Sequence, residues 1–242
     1  MSIARLHVPE AALGERIVLA EHTAHHVREV LRLRATDAVH VFDGAGREYE
    51  ARLEFVTRRE VVARIGAECP ARPESPLRSV LALAALRGDR MDLVIQKAVE
   101  LGVSEIWPVV TVRTDATARP ALRGSRQERW EKVASGAAEQ CGRATVPRVA
   151  PTQELADLFA ARFDGRRLFF LETQGVASIE AQPKPKAALL LVGPPGGWDE
   201  REVAFAARAD FVPASLGPRV LRAETAAITA LVLAQALWGD LA

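Results

Sequence analysis

The stretch 187–236, AALLLVGPPGGWDEREVAFAARADFVPASLGPRVLRAETAAITALVLAQA, decides how this chain is read. Ala188–Val192 is a short apolar run closed by Gly193, the pattern of a parallel strand buried on both faces. Gly193, Gly196 and Gly197, with Pro194 and Pro195, make a loop that can hold no regular element. Asp199 and Glu200 stand where a helix begins, the end at which acidic side chains are favourable. A second unit repeats the order: Phe211–Leu216 reads as a strand, Gly217-Pro218 as a turn and Glu224–Trp238 as a helix. That last helix is apolar nearly all round, which predicts burial in a core or against a second subunit. Ligands of open α/β sheets bind beyond the carboxyl ends of the strands. The two glycine–proline loops are therefore the first place to look for a site.

Toward the N-terminus the same alternation continues. Val80–Leu86 reads as a buried strand. Asp89–Leu101 reads as a helix with Met91, Val94, Ile95 and Ala98 on its apolar face, stopped by Gly102. Glu105–Val110 and Leu168–Leu171 read as strands, and Arg126–Cys141 and Glu154–Phe163 as helices. Strands alternating with helices imply parallel pairing through crossover helices. The pattern changes at Cys69–Pro76, CPARPESP, where Pro70, Pro73 and Pro76 make a stiff connector. Before it the chain reads as β-rich: Ile3–Val8, Arg16–Leu19, Ala38–Phe42, Arg47–Phe55 and Glu60–Ala67, with a hairpin signal at Asp43-Gly44. One helix interrupts, Glu21–Leu31, for which Thr23 is the candidate cap. Several short strands with tight turns predict a small barrel. The expected division is a β-barrel domain over 1–70, a proline-rich linker over 71–76 and an α/β domain over 77–242.

Composition narrows the classes. The 242 residues are 49% hydrophobic and 26% charged, with a formal net charge of +1. A substantial core is affordable and disorder is not indicated. Net charge makes no case for nucleic acid over the whole chain, so any such case is local. Between Arg113 and Arg148 eight basic residues face four acidic ones, an excess that can hold a phosphate backbone or be an ordinary solvated helix face. Cys69 and Cys141 form no CxxC pair, and no signal peptide or membrane-length apolar run is visible. The expectation is a cytoplasmic protein with no membrane partner. The histidines have no ligand-spaced partners, so no metal is expected.

The Gly193–Trp198 loop is neither GxGxxG nor a Walker A sequence, which argues against nicotinamide and triphosphate chemistry. It can cradle a nucleoside-like ligand through its backbone or serve as a plain turn. In Gly217–Thr225, GPRVLRAET, the side chains of Arg219, Arg222, Glu224 and Thr225 cluster ahead of the apolar helix. Two guanidiniums there can stabilise developing negative charge. The plainer alternative is surface charge beside a helix start, with Thr225 or Glu224 as cap.

GPPGGW followed by LGPRVLRAETA resembles the paired signature of the knotted SPOUT-class methyltransferases, and within them the RsmE family, which methylates N3 of a uridine in 16S ribosomal RNA. HHVREVLRLRATDAVHVFDGAG (25–46), QKAVELGVSEIWPVVTVRT (96–114), RWEKVASGAAEQCGRATVPRV (129–149) and LFFLETQG (168–175) resemble it as well, so the likeness covers nearly the whole chain. It implies a PUA-like RNA-binding barrel, a SPOUT domain with a C-terminal trefoil knot, a homodimer and S-adenosylmethionine as cofactor. Cofactor contacts are implied at Leu171, Glu172, Thr173, Gly193, Gly196, Gly197, Leu216, Gly217, Leu221, Thr225 and Ala226. For that reaction the site should favour the uracil anion, with Arg222 the first candidate and Arg219 the second to do so, and Glu224 the candidate to take the N3 proton or only to orient an arginine. Arg32, Arg113, Arg123, Arg126 and Arg143 are the expected RNA contacts. The family usually has glutamate where this chain has Pro195, and phenylalanine in place of Trp198. Two other readings stay open: an RNA-binding protein of the same fold with lost or altered activity, and an unrelated small-molecule α/β enzyme.

Overall fold

A computed structural model describes residues 3–118, 124, 126–171 and 176–241. The chain divides into two compact units, one of residues 1–74 and 135–146, the other of residues 75–134 and 147–242. The boundary after Glu74 falls inside the proline-rich stretch. The return of 135–146 to the first unit has no signal in the sequence.

The first unit is built on a five-stranded mixed sheet. Its strands are β1 (Ala4–His7), β2 (Arg16–Val18), β3 (Ala38–Phe42), β4 (Glu48–Val56) and β5 (Val61–Cys69), in the order β1-β3-β4-β5-β2. β1 runs parallel to β3, and the other pairs are antiparallel. Asp43 closes the β3–β4 hairpin by accepting from the backbone N–H groups of Ala45 and Arg47 (2.8 and 3.1 Å). Leu6, Val27, Val41, Leu53 and Ile65 fill the core. The expected helix at 21–31 is two pieces: α1 (Glu21–His25) and a π-helical turn over His26–Val30. Its N-cap is Ala20, not Thr23, which is buried inside the first turn. The segment 135–146 is bonded to β1 of this unit. Glu139 accepts from the backbone N–H of His7 (2.8 Å), and His7 Nδ1 meets Ser135 Oγ at 2.8 Å.

The second unit is an α/β layer. Its strands are β6 (Arg78–Ala84), β7 (Glu105–Val110), β8 (Arg148–Val149), β9 (Gln153–Glu154), β10 (Arg166–Phe170), β11 (Ala187–Val192) and β12 (Val212–Ala214). They form one sheet, ordered β12-β10-β11-β6-β7-β8, with β9 also on β7 and every pair parallel. β6 and β11 are central, β6 apolar from Val80 on and β11 along its whole length, as strands covered on both faces must be. The helices are α2 (Asp89–Glu100), α3 (Gln127–Cys141, which belongs to this unit only as far as Ala134), α4 (Leu155–Ala160), α5 (Glu200–Arg208) and α6 (Ala223–Trp238). Val80, Ala82, Leu189 and Leu191 pack under Leu155 and Leu158 of α4 and Ala206 of α5. The alternate residues of β6 and β11 lie toward α6, which packs on both strands and on α2. α2 ends in a Schellman motif. Gly102, at φ +76°, donates to Val99, and Val103 donates to Ala98 (both 3.0 Å).

The chain order through the sheet builds the site. After β11 the chain passes through α5 and crosses β10 to form β12 on the sheet edge, then returns in α6 to pack on β11 and β6. The carboxyl ends of β10, β11 and β12 are thereby neighbours.

Candidate active site

The loop after β11 is fixed from three sides. Gly197 N–H donates to Pro194 O (2.9 Å), closing a tight turn with Pro195 and Gly196 at its centre. The second position of such a turn suits proline, whose φ is preset and whose missing N–H has no duty there. Trp198 ties this loop to the end of β10. Its Nε1–H donates to Phe170 O (3.0 Å), and its ring lies 4.5 Å from that of Phe169. Gly193 is glycine because a Cβ there would stand 2.6 Å from Trp198 Cε2. On the third side Arg113 Nη1 donates to Gly196 O (3.1 Å). Asp199 caps α5 in a capping box with Glu202, whose other carboxylate oxygen accepts from Val112 N–H (2.8 Å).

The loop after β12 approaches the same place. Leu171 N–H donates to Ala214 O (3.1 Å), setting the ends of β10 and β12 side by side. Ser215 Oγ accepts from Gly217 N–H (3.2 Å), and Gly217 takes φ +117°, open to glycine. α6 then starts at Ala223 with Arg222 as N-cap. Thr225 and Glu224, the sequence candidates for that role, lie inside the first turn.

Between the loops is a cleft of about 580 Å³, within the ~300–1,000 Å³ usual for small-molecule sites. Its wall includes Leu171, Gly193, Gly197, Leu216, Gly217, Leu221 and Ala226, together with Arg219, Arg222 and Glu224. Gly196 and Thr225 are outside that wall; Gly196 holds the turn and Thr225 is exposed on α6. Glu172 and Thr173 lie outside the described residues. Sequence reasoning missed Arg90, Phe170, Trp198, Val203 and Val220, which also line the cleft. Arg90 follows Gly88 at the carboxyl end of β6, so the strand-end rule could have found it. Three arginines, Arg90, Arg219 and Arg222, and one glutamate, Glu224, share the lining of this cleft.

The fold recurs in solved relatives. A methyltransferase from Legionella pneumophila, solved in complex with S-adenosylmethionine, superposes with a TM-score of 0.94 at 34% identity over 100% of both chains. A ribosomal RNA small subunit methyltransferase E from Neisseria gonorrhoeae bound to S-adenosylmethionine gives 0.91, also at 34% identity over 100% of both. The family described as the RNA methyltransferase domain matches residues 73–235, and the RNA methyltransferase PUA domain matches residues 19–66. The ribosomal RNA small subunit methyltransferase E of Bacillus subtilis is 31% identical over 86% of this chain and 84% of its own. The chain belongs to the ribosomal RNA small subunit methyltransferase E family.

In this methyltransferase the expected RNA contacts have different fates. Arg32 is exposed in the first unit at φ +55°. Arg113 is exposed beside the β11 loop, and Arg126 is half-buried, donating to Thr117 O (3.0 Å). Arg123 lies outside the described residues. Arg143 is buried in the first unit and pairs with Glu74, Nη2 to Oε2 at 2.5 Å, so its charge is spent inside the protein. Arg129 is bound by Asp89 and Asp92. The basic stretch is thus not one continuous face.

One cluster has the composition of a metal site. His40, Glu48 and Cys69 bring ligand atoms within 4.8 Å of one another. Glu48 is already engaged, with Arg5 donating to both of its oxygens (2.9 and 2.6 Å) and His40 Nδ1 at 2.9 Å. Burial opposes its ionisation, but the bonds from Arg5 and His40 outweigh that and hold its carboxyl below the ordinary range. Among the described residues no helix is long and apolar enough to cross a membrane.

Proposed function

We propose that this protein transfers the methyl group of S-adenosylmethionine to N3 of a uridine in the 16S RNA of the small ribosomal subunit. The observation that carries the proposal is the convergence of the end of β10 and the loops after β11 and β12 on a cleft lined by three arginines and one glutamate. The cofactor supplies a methyl group already activated on a sulfonium, so the chain's task is alignment and charge management. Fit is supported by the cleft's volume and by glycine at 193, 197 and 217, which bares backbone amides and carbonyls for close contact. Leu171, Leu216, Leu221 and Ala226 supply apolar wall, and Glu172 and Thr173 complete the contacts proposed from the sequence.

Uracil N3 carries a proton and is a poor nucleophile until it is lost. Arg222, with Arg219 beside it, stabilises the negative charge that develops on the ring oxygens. Glu224 accepts the proton. The base enters flipped or from a single strand, and the first unit with Arg32, Arg113 and Arg126 holds the flanking RNA. The protein works in the cytoplasm as a homodimer, with the half-exposed apolar residues of α6 (Ile228, Val232 and Leu233) supporting a subunit interface. The excursion of the chain from β11 to β12 and back through α6 is the passage at which the trefoil knot closes.

The test is methyl transfer to small-subunit RNA from cells lacking this gene, read by reverse transcription. A methyl on the Watson–Crick edge stops extension, so one new stop at a uridine is expected. Arg222→Ala should lower turnover by roughly 100- to 1,000-fold, as loss of one charge-stabilising donor does, with S-adenosylmethionine affinity within about twofold. Wild-type turnover in that variant removes Arg222 from the mechanism.

A further inference from the structure

Glu224 is incompletely partnered. Its Oε2 is buried, and among the described residues nothing hydrogen-bonds to it. Its Oε1 lies 3.9 Å from Arg90 Nε, an ion pair too long to be a hydrogen bond. An unmet buried acceptor is costly, and more so when charged. Native chains carry such a group where it has a role to play or a partner that arrives from outside. Both residues sit in the cleft wall, each as the second residue of a helix: Arg90 in α2, Glu224 in α6. Among the described residues Arg90 is the one cation within 4.0 Å of Glu224; the side chain of Arg90 is 49% exposed and that of Glu224 is 14% exposed.

We propose that Arg90 is a positioning residue for proton removal: it closes onto Glu224 Oε1 when substrate enters and so fixes the carboxylate that accepts the imide proton. The inference rests on the reaction proposed above and adds a residue to it. A charge-assisted N–H···O bond is ~2.7–2.9 Å long, so a movement of about 1 Å completes the pair. Such contacts are commonly long before the substrate complex forms and tighten within it. Closure on Oε1 sets the plane of the carboxylate. In the step itself the N3–H bond breaks with its proton passing to Glu224 Oε1, which has a second lone pair free beside the one that Arg90 takes. The nitrogen keeps the electron pair and bonds the methyl carbon, and the C–S pair remains on sulfur as sulfonium becomes thioether. Glu224 then returns the proton to solvent.

The rival role for a half-exposed arginine at a cleft mouth is to hold an RNA phosphate, and the two roles separate kinetically. In the full-length protein Arg90→Ala should lower kcat by roughly 10- to 100-fold, the scale of an ångström-sized misplacement. KM for RNA and the dissociation constants of S-adenosylmethionine and RNA, measured by calorimetry and filter binding, should stay within about twofold. Arg90→Lys should recover part of kcat. Glu224→Gln should lower kcat at least as far, and adding Arg90→Ala to it should cost nothing more, since Arg90 acts through Glu224. A rise in KM for RNA with kcat intact and a shallower salt dependence would make Arg90 a phosphate contact and overturn the proposal. Additive losses in the double variant, or unchanged kcat in Arg90→Ala, overturn it as well. A wild-type protein that transfers no methyl group overturns the assigned reaction, and this inference with it.

Discussion

Replacing Gly193 by alanine should damage folding and cofactor binding together, while the same change at Gly196, three residues on, should be mild. At Gly193 the new Cβ meets Trp198 Cε2 at 2.6 Å and Cζ2 and Nε1 at 2.9 Å. Carbon atoms pack best at about 3.5–4.0 Å, so the indole must retreat by about 1 Å. It is held by its bond to Phe170 O (3.0 Å) and by the ring of Phe169. A retreat of that size takes the bond beyond useful length. The lost bond is worth about 0.5–1.5 kcal/mol, and overpacking a fitted site adds about 1–3 kcal/mol. Together they give roughly 2–4 kcal/mol, or roughly 4–16 °C in Tm for a chain of this length. Because Trp198 lines the cleft, S-adenosylmethionine affinity should fall about tenfold or more. At Gly196 the nearest atom is Arg113 Cβ at 3.4 Å, an ordinary contact, so Tm should move by no more than about 2 °C. Thermal unfolding and calorimetric titration read both quantities. Adding Gly193→Ala to Trp198→Ala should cost little more than Trp198→Ala alone. Two alanine variants that behave alike, or a Gly193→Ala protein with wild-type Tm and affinity, would refute the account of this loop.

Further predictions concern the first unit. Arg143→Ala should lower stability by about 1–2 kcal/mol, since its partner Glu74 is 38% exposed. The salt dependence of RNA binding should not change, because that guanidinium is spent inside the protein; a slope smaller by about one would return Arg143 to the RNA contacts. His7 gives a pH signature. Burial holds its imidazole below the usual value of 6.5. The unfolded chain therefore binds more protons in the window just below pH 6.5, and stability falls as the pH drops through it. Glu139, whose carboxyl burial holds above 4.5, works in the opposite sense. The difference between wild type and His7→Gln isolates the histidine: the variant should lose less stability between pH 7.5 and 5.5 in urea titrations, and equal losses would contradict the assignment.

Much of the fold was legible because it rests on local rules. Gly102, Gly142 and the proline–glycine loops mark where elements stop, and β6 and β11 are apolar enough to declare themselves buried strands. Elements too short for a period were not legible: β8 and β9 are two residues each. α4 ends at Ala160 rather than at the expected Phe163, which turns its ring edge-on to Trp107 instead. The site was legible where glycine and arginine cluster in one stretch and illegible where it depends on distance along the chain. Arg90 reads locally as a helix start, and only the packing of α2 on α6 brings it to Glu224. Arg143 reads as one more cation in a basic run, because Glu74 is 69 residues away. Pro195 stood out as a departure from the family pattern, and the turn it occupies asks nothing of its nitrogen.

The first unit takes its last dozen residues, 135–146, from far down the chain. Translation therefore delivers that module in two instalments, separated by some sixty residues that belong elsewhere. Until the second instalment emerges, Arg5 lacks the carbonyls of Ala138 and Arg143, and the β3–β4 turn lacks Thr145. A nascent chain released near residue 74 leaves those polar groups open to solvent, so the N-terminal module should mature after the first helices of the second unit have been made rather than before them.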